Sequence, residues 1–209
     1  MAGLDFTEIF LLMTVLIASL SVHEAAHAWA ASLLGDPTAR LLGRLSLNPA
    51  VHVDLIGTVL FPLVAISTGL PLIGWAKPVP VDFRHLRHPR RDFAMVAAAG
   101  PASNMLLAIL GAAAFAVTGG QDAFLSGSLL AAVLRAFVLL NVLLAVFNMV
   151  PVPPLDGGNV LMGLLPASGA ALVDRVRPFG FLVLYALMLS GMLSAILGPV
   201  QRFVRDWLL

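Results

Sequence analysis

Cysteine is absent from the 209 residues. That excludes disulfides and thiolate metal sites. Any metal must then be held by imidazole, carboxylate, carbonyl or water. Charge is scarce too: 11% of residues are Asp, Glu, Lys or Arg, against roughly 25% in a soluble domain. Glutamate occurs only at Glu8 and Glu24, and lysine only at Lys77. The net charge of +1 carries no pointer to nucleic acid, and no nucleic-acid partner is expected.

What is present is apolar. Hydrophobic residues make up 60% of the chain, and the mean hydropathy is +0.98. The composition predicts an all-α polytopic membrane protein, a single integral-membrane domain over residues 1–209. At about 20 residues per span, this length holds about five hydrophobic segments with short connections. Four are clear spans: about Phe6 to Leu34, Phe93 to Val117, Leu129 to Met149, and a C-terminal span about 179–197. The first reads as a retained span, since "MAGLDFTEIFLLM" has no positive n-region. In the second, the Gly-Pro pair of "AGPASN" is expected to bend or open the first turn.

The fifth segment, residues 54–73, is interrupted by Gly57, Pro62, Gly69 and Pro71. Lys and Arg mark cytosolic flanks. Arg40 and Arg44 precede this segment, and Lys77 with Arg84, Arg87, Arg90 and Arg91 follows it. Arg175 and Arg177 mark a third cytosolic stretch, whereas the turn at 118–127 carries only Asp122. With both flanks on one side, 54–73 is expected to be re-entrant or broken, with a full span against the charge pattern as the alternative. Non-helical backbone at membrane depth is tolerated where protein shields it. "WAKPVPV" then reads as a small β or extended element near the cytosolic face, because proline bars helix and confines strands to edges.

Against that apolar background, the first span holds His23, Glu24 and His27. Ionisable groups in hydrocarbon cost several kcal/mol unless paired, hydrated or metal-bound. Positions four apart share a helix face, with Cβ atoms roughly 6 Å apart. Two imidazoles so placed can bind one Zn²⁺, and the intervening Glu can address a metal-bound water; H-E-x-x-H on a helix has that chemistry. A self-satisfied polar cluster and a metal site without hydrolysis are the competing readings. Both leave the spacing and the Glu unexplained.

Catalytic zinc usually takes three protein ligands and keeps one open position. His52, His85 and His88 remain, the last two in the basic loop. Asp156 in "NMVPVPPLDGG" is the better third ligand, because its prolines and glycines let the chain turn inward. Topology agrees. His27 sits about seven residues from the cytosolic end of its helix, roughly 10 Å deep at 1.5 Å per residue. Two later spans return the chain to the same side at Asp156.

These stretches resemble the site-2 protease family of intramembrane zinc metalloproteases. The resemblance rests on "HEAAH", "GRLSLNP", "GWAKPVPV", "AGPASN" and "NMVPVPPLDGG", and runs from about residue 20 to 165. It implies one Zn²⁺ per chain held by His23, His27 and Asp156, with Glu24 as catalytic base. It also implies a catalytic core of about 6–165 in compact form. Substrates would be transmembrane proteins, cut in or near their spans. The enzyme would be a multi-pass cell-membrane protein with its active site toward the cytosol. The resemblance favours Asn148 as a donor to the oxyanion or the substrate backbone; helix–helix hydrogen bonding is its plainer role. Asn141 reads as packing or as a support behind the site residues, and Asn104 as interhelical glue. The "WAKPVPV" segment is implied to lie near the active site and clamp substrate, or else to be an interfacial loop. His52 and Asp54 read as turn capping, and Trp29, Trp75 and Trp207 as interfacial anchors.

Two other functions compete. A membrane metal carrier would show repeated halves and several midplane carboxylates, and neither is visible. A pseudoprotease that binds helices without cutting has no need of an intact Glu24.

Overall fold

The computed structural model describes residues 6–68 and 74–207. Among them it is helix and turn, with no strand. Helix α1 (Phe6–Leu33) stops where Gly35 takes a φ of +111°. Short α2 (Thr38–Leu41) follows. Asp54 then caps a wide π-type turn, Leu55–Leu60, by accepting the Ile56 and Gly57 amides. That turn runs into α3 (Phe61–Thr68). The second long helix is α4 (Pro89–Val117), followed by short α5 (Gly120–Leu125). The third is α6 (Leu129–Asn148), capped by the Ser128 hydroxyl. Beyond it lie α7 (Asp156–Leu164), α8 (Ala167–Val176), α9 (Gly180–Leu189) and α10 (Met192–Trp207).

Helix α4 is the centre of the molecule and packs on α1, α6 and α7. Its buried face reads Gly100, Asn104, Ala108, Gly111 and Phe115, spaced by about one helical turn. Small residues let helices approach closely where no hydrophobic effect drives them together. A Cβ built on Gly111 would lie 2.7 Å from the Phe137 ring, so the α4–α6 contact depends on its absence. Ala108, Val138, Val142 and Val204 form one apolar cluster, which seats α10 on α4 and α6. Val150, Leu155 and Leu184 form another, which seats α9 on the turn leading to Asp156. Between α1, α6 and the α9–α10 pair lies an apolar cavity of about 400 Å³, lined in part by Leu16, Leu20, Leu144, Phe147 and Tyr185.

Three expectations change. First, among the described residues only α1, α4 and α6 are long and apolar enough to cross a membrane, or four spans if the C-terminal pair counts as one. The segment before residue 69 provides only a short apolar helix, Leu55–Ala65, and residues 69–73 of the expected re-entrant element lie outside the described residues. Second, the C-terminal span is broken. Its two arms meet at 66°, with Gly191 in the left-handed region at φ +76°. Third, the β element forms no ladder among the described residues. Trp75–Asp82 is non-helical, but Pro78 and Pro80 have no amide to pair. Pro101 also sits inside an unbroken α4, which begins earlier than expected, at Pro89.

Candidate metal centre

The α1 face carrying His23, Glu24 and His27 is buried at 4%, 8% and 8% exposure. The two imidazoles stand edge to face, 4.6 Å between centroids. Their Nε2 atoms approach to 3.0 Å. Such packing needs space on the facing helix, and Gly100 of α4 supplies it. A Cβ there would lie 2.4 Å from His27 Nε2 and 2.6 Å from His23 Cε1.

Asp156 is the first residue of α7, and its Oδ2 lies 3.1 Å from His23 Nε2 and 3.4 Å from His27 Nε2. The prolines after α6 end that helix, and two glycines let α7 fold back onto the turn. A Cβ at Gly157 would meet the Met149 carbonyl oxygen at 2.3 Å, and one at Gly158 would meet Pro153 N at 2.6 Å. His23, His27 and Asp156 thus offer three ligand atoms within 4.8 Å of one another, the one such group among the described residues.

Hydrogen bonding tests whether this group suits a cation. His27 Nδ1 lies 2.8 Å from the Val96 carbonyl. A carbonyl only accepts, so Nδ1 carries the proton and Nε2 keeps a lone pair. His23 Nδ1 faces the Asn104 amide oxygen at 2.5 Å, which gives the same tautomer. Asp156 Oδ2 is buried without a hydrogen bond. Both imidazoles therefore turn Nε2 toward Asp156 Oδ2, and three possible ligand atoms converge on one point, an arrangement that suits a cation. A His₂–carboxylate set is a zinc donor set.

Glu24 lies outside this cluster and faces Trp75–Asp82. Its Oε2 accepts the Val79 amide at 3.2 Å. The segment is tied down along its length. The Trp75 amide donates to Gly57 O and the Lys77 amide to His52 O. The Thr58 hydroxyl donates to Trp75 O. The Arg44 guanidinium donates to the carbonyls of Lys77 (2.7 Å) and Pro78 (2.8 Å). Residues 75, 77 and 79 all turn their amides toward the protein, the period-two habit of extended chain. The Trp75 ring covers Gly57 and contacts Phe61 and Phe181 while staying 37% exposed. Trp29 is 61% exposed, and the Trp207 side chain lies outside the described residues.

The Asp82 amide donates to Asp36 Oδ2, closing the far end of the segment. Burial of Asp36 works to raise its pKa. Bonds from the Thr38 hydroxyl and amide, the Asp82 amide and His85 outweigh that and hold it below the ordinary carboxylate value. The Arg84 side chain, and then its amide, hold Asp82 low as well.

Other sequence candidates fall elsewhere. The Asn148 amide donates to Leu144 O one turn back on its own helix, and no hydrogen bond among the described residues joins it to the cluster. His52 is buried, and its Nε2 bonds Ser46 O, tying a turn. Asp54 caps, as expected. His85 pairs with Asp36 and His88 with Asp92. Sequence reading missed Gly100, which it took for a helix breaker; Asn104 does join helices, as expected, but its contact with His23 was not foreseen. Their one-turn spacing on the buried face of α4 was the available signal.

Fold and site together define a polytopic helical membrane protein with a His₂–carboxylate cluster at the foot of its first span. Residues 121–191 match the model for peptidase family M50. The chain is 35% identical, over 95% of its length and 89% of the relative's, to the Bacillus subtilis protein named "Putative zinc metalloprotease YwhC". It is 28% identical, over 91% of its length and 71% of the relative's, to the Mycolicibacterium smegmatis protein named "Putative zinc metalloprotease Rip2". Against the Rip2 of Mycobacterium tuberculosis strain H37Rv the identity is 30%, over 85% of this chain and 66% of that one. The chain belongs to peptidase family M50, the site-2 protease family. No solved structure matches it.

Proposed function

We propose that this chain is an intramembrane zinc metalloendopeptidase that hydrolyses peptide bonds in or near the transmembrane segments of membrane proteins, with its active site toward the cytosolic side. The observation that carries the reading is the convergence of His23 Nε2, His27 Nε2 and Asp156 Oδ2 within 4.8 Å of one another. Those three residues hold the metal, one per chain. Zinc, when bound, polarises a carbonyl and lowers the pKa of a coordinated water to about 7.

The chain's own groups do the rest. Glu24 takes the proton of the attacking water and passes it to the leaving amine, a role worth roughly 10²–10⁴ in rate. The Val79 amide holds Glu24 Oε2, which leaves Oε1 to face the water. Asn148 keeps a second amide proton beyond the one given to Leu144, and so can donate to the substrate carbonyl. A peptide must be extended before it is cut, and extended peptides are commonly held along an open edge. Trp75–Asp82 lies beside the base and offers such an edge. The Lys and Arg pattern, with His27 near the end of α1 flanked by Arg40 and Arg44, supports the cytosolic placement.

The test is to purify wild type, Glu24→Gln and Asp156→Ala, and to measure zinc per chain and cleavage of several transmembrane substrates. Glu24→Gln should keep zinc and lose cleavage. Asp156→Ala should lose both. A wild type that holds no metal sinks the proposal.

A further inference from the structure

A chain of buried amides runs away from the metal cluster through three helices. His23 Nδ1 faces Asn104 Oδ1 at 2.5 Å. Asn104 Nδ2 donates to Asn141 Oδ1 at 2.9 Å and to the Ser19 carbonyl at 3.5 Å. Asn141 Nδ2 donates to the Ser19 hydroxyl and to the Phe137 carbonyl, both at 2.9 Å. Ser19, Asn104 and Asn141 are each 0% exposed.

The chain has a direction. The carbonyls of Phe137 and Ser19 can only accept. Each therefore fixes which end of its carboxamide carries nitrogen. Asn141 must turn its oxygen to Asn104, and Asn104 must turn its oxygen to His23. An oxygen opposite Nδ1 demands a proton on Nδ1, and that leaves Nε2 as the lone pair aimed at His27 and Asp156. One wrongly turned amide would reverse this, placing an N–H opposite Nδ1 and a proton on the nitrogen meant for metal.

We propose that Asn104 and Asn141 are positioning residues that lock His23 in its metal-binding tautomer, with the backbone carbonyls of Phe137 and Ser19 as the reference that sets the direction. The inference deepens the zinc-protease reading and rests on it. Interhelical packing alone would need polar contact between the helices, but not this order of oxygens and nitrogens. Loss of such a partner of a metal-bound imidazole typically weakens metal binding 10–100-fold.

The experiment uses the full chain in detergent, as wild type, Asn104→Leu, Asn104→Asp and Asn141→Leu. Two quantities are read: zinc affinity by competition with a chromophoric chelator, and the His23 ring nitrogen shifts of the metal-free protein, which report the tautomer. Asn104→Leu is expected to lose zinc affinity 10–100-fold and to mix or reverse the tautomer. Asn104→Asp keeps an oxygen opposite Nδ1 and should recover most of the affinity. Asn141→Leu removes the shorter of the two bonds that orient Asn104, leaving the 3.5 Å contact with the Ser19 carbonyl, and should give a smaller loss with a partly mixed tautomer. Should Asn104→Leu fail to fold, Asn141→Leu decides by the same two readings. A folded Asn104→Leu, or in its place a folded Asn141→Leu, with wild-type affinity and tautomer overturns the proposal. Wild type without zinc affinity would instead overturn the metal reading, while the nitrogen shifts would still judge the relay.

Discussion

Two regions close on the His-Glu-x-x-His turn of α1 from different directions, and they work by opposite means. Helix α4 meets the histidines. Its backbone is occupied by its own ladder, so it acts mainly through what its side chains are: the Asn104 amide and the missing side chain of Gly100, with the Val96 carbonyl as a main-chain exception. The segment Trp75–Asp82 meets the glutamate. It has no ladder, so its main-chain groups are themselves the functional contacts, and other side chains exist to hold them. In hydrocarbon an unpaired peptide group costs several kcal/mol. A helix avoids that cost at once but presents no free amide. An irregular segment presents amides, and needs an Arg44 and an Asp36 to be stable.

The comparison can be broken at four points. The largest effect should come from Gly100→Ala in α4. A methyl cannot share space with the His27 ring, so zinc content and cleavage should both fall at least tenfold, while Glu24 and its segment stay in place. Overpacking of this kind typically costs about 1–3 kcal/mol, read here as zinc per chain and melting temperature. Wild-type zinc loading in this variant would refute the cradle.

Next is Arg44→Ala, which strips both carbonyl bonds from the segment. Hydrogen bonds to a charged group are worth about 1.5–3 kcal/mol each, so the segment should loosen and cleavage drop roughly tenfold or more with zinc content unchanged. Faster hydrogen exchange at Val79 is the structural reading. Exchange unchanged from wild type would remove Arg44 from this role.

The third point is pH. The Asp36 pKa is lower folded than its unfolded value of 3.8, so the unfolded chain binds the proton more readily. Its contribution to stability is therefore present above about pH 4 and is lost as pH falls through the lower folded value. Melting temperatures of wild type and Asp36→Asn should differ by a constant amount at neutral pH and converge in acid. A gap that persists unchanged in acid would contradict this.

Smallest is Arg84→Ala. The Asp82–Arg84 pair is exposed on the Arg side, and solvent screens such surface ion pairs until they contribute little. Cleavage and melting should barely change, which separates the pinned end of the segment from its decorated surface.

Much of this architecture was legible because it depends on spacing along one element. The His23/His27 interval, the glycine that ends α1 and the proline-glycine run that delivers Asp156 are local facts. What escaped depends on partners. Apolar periodicity shows that Asn104 faces inward but not that His23 lies opposite. Gly100 beside Pro101 reads as a break, although its use is the room it leaves for two rings. Prolines 78 and 80 announce extended chain, but not that the neighbours are a guanidinium and two carboxylates in place of a strand. The break at Gly191 was invisible because the apolar run continues through it.

The two prolines have one more consequence. Counting alternate positions from Ala76, the other side of the segment reads Ala76, Pro78, Pro80 and Asp82; the prolines have no amide and Asp82 gives its own to Asp36, which leaves that of Ala76. A full ladder would bind a cleaved strand as firmly as an uncut one, and binding shared equally by substrate and product slows release without speeding chemistry. If the segment holds substrate as proposed, an edge with a single donor on that side would grip briefly and let go, and it would give a second copy of the same segment almost nothing to stack upon.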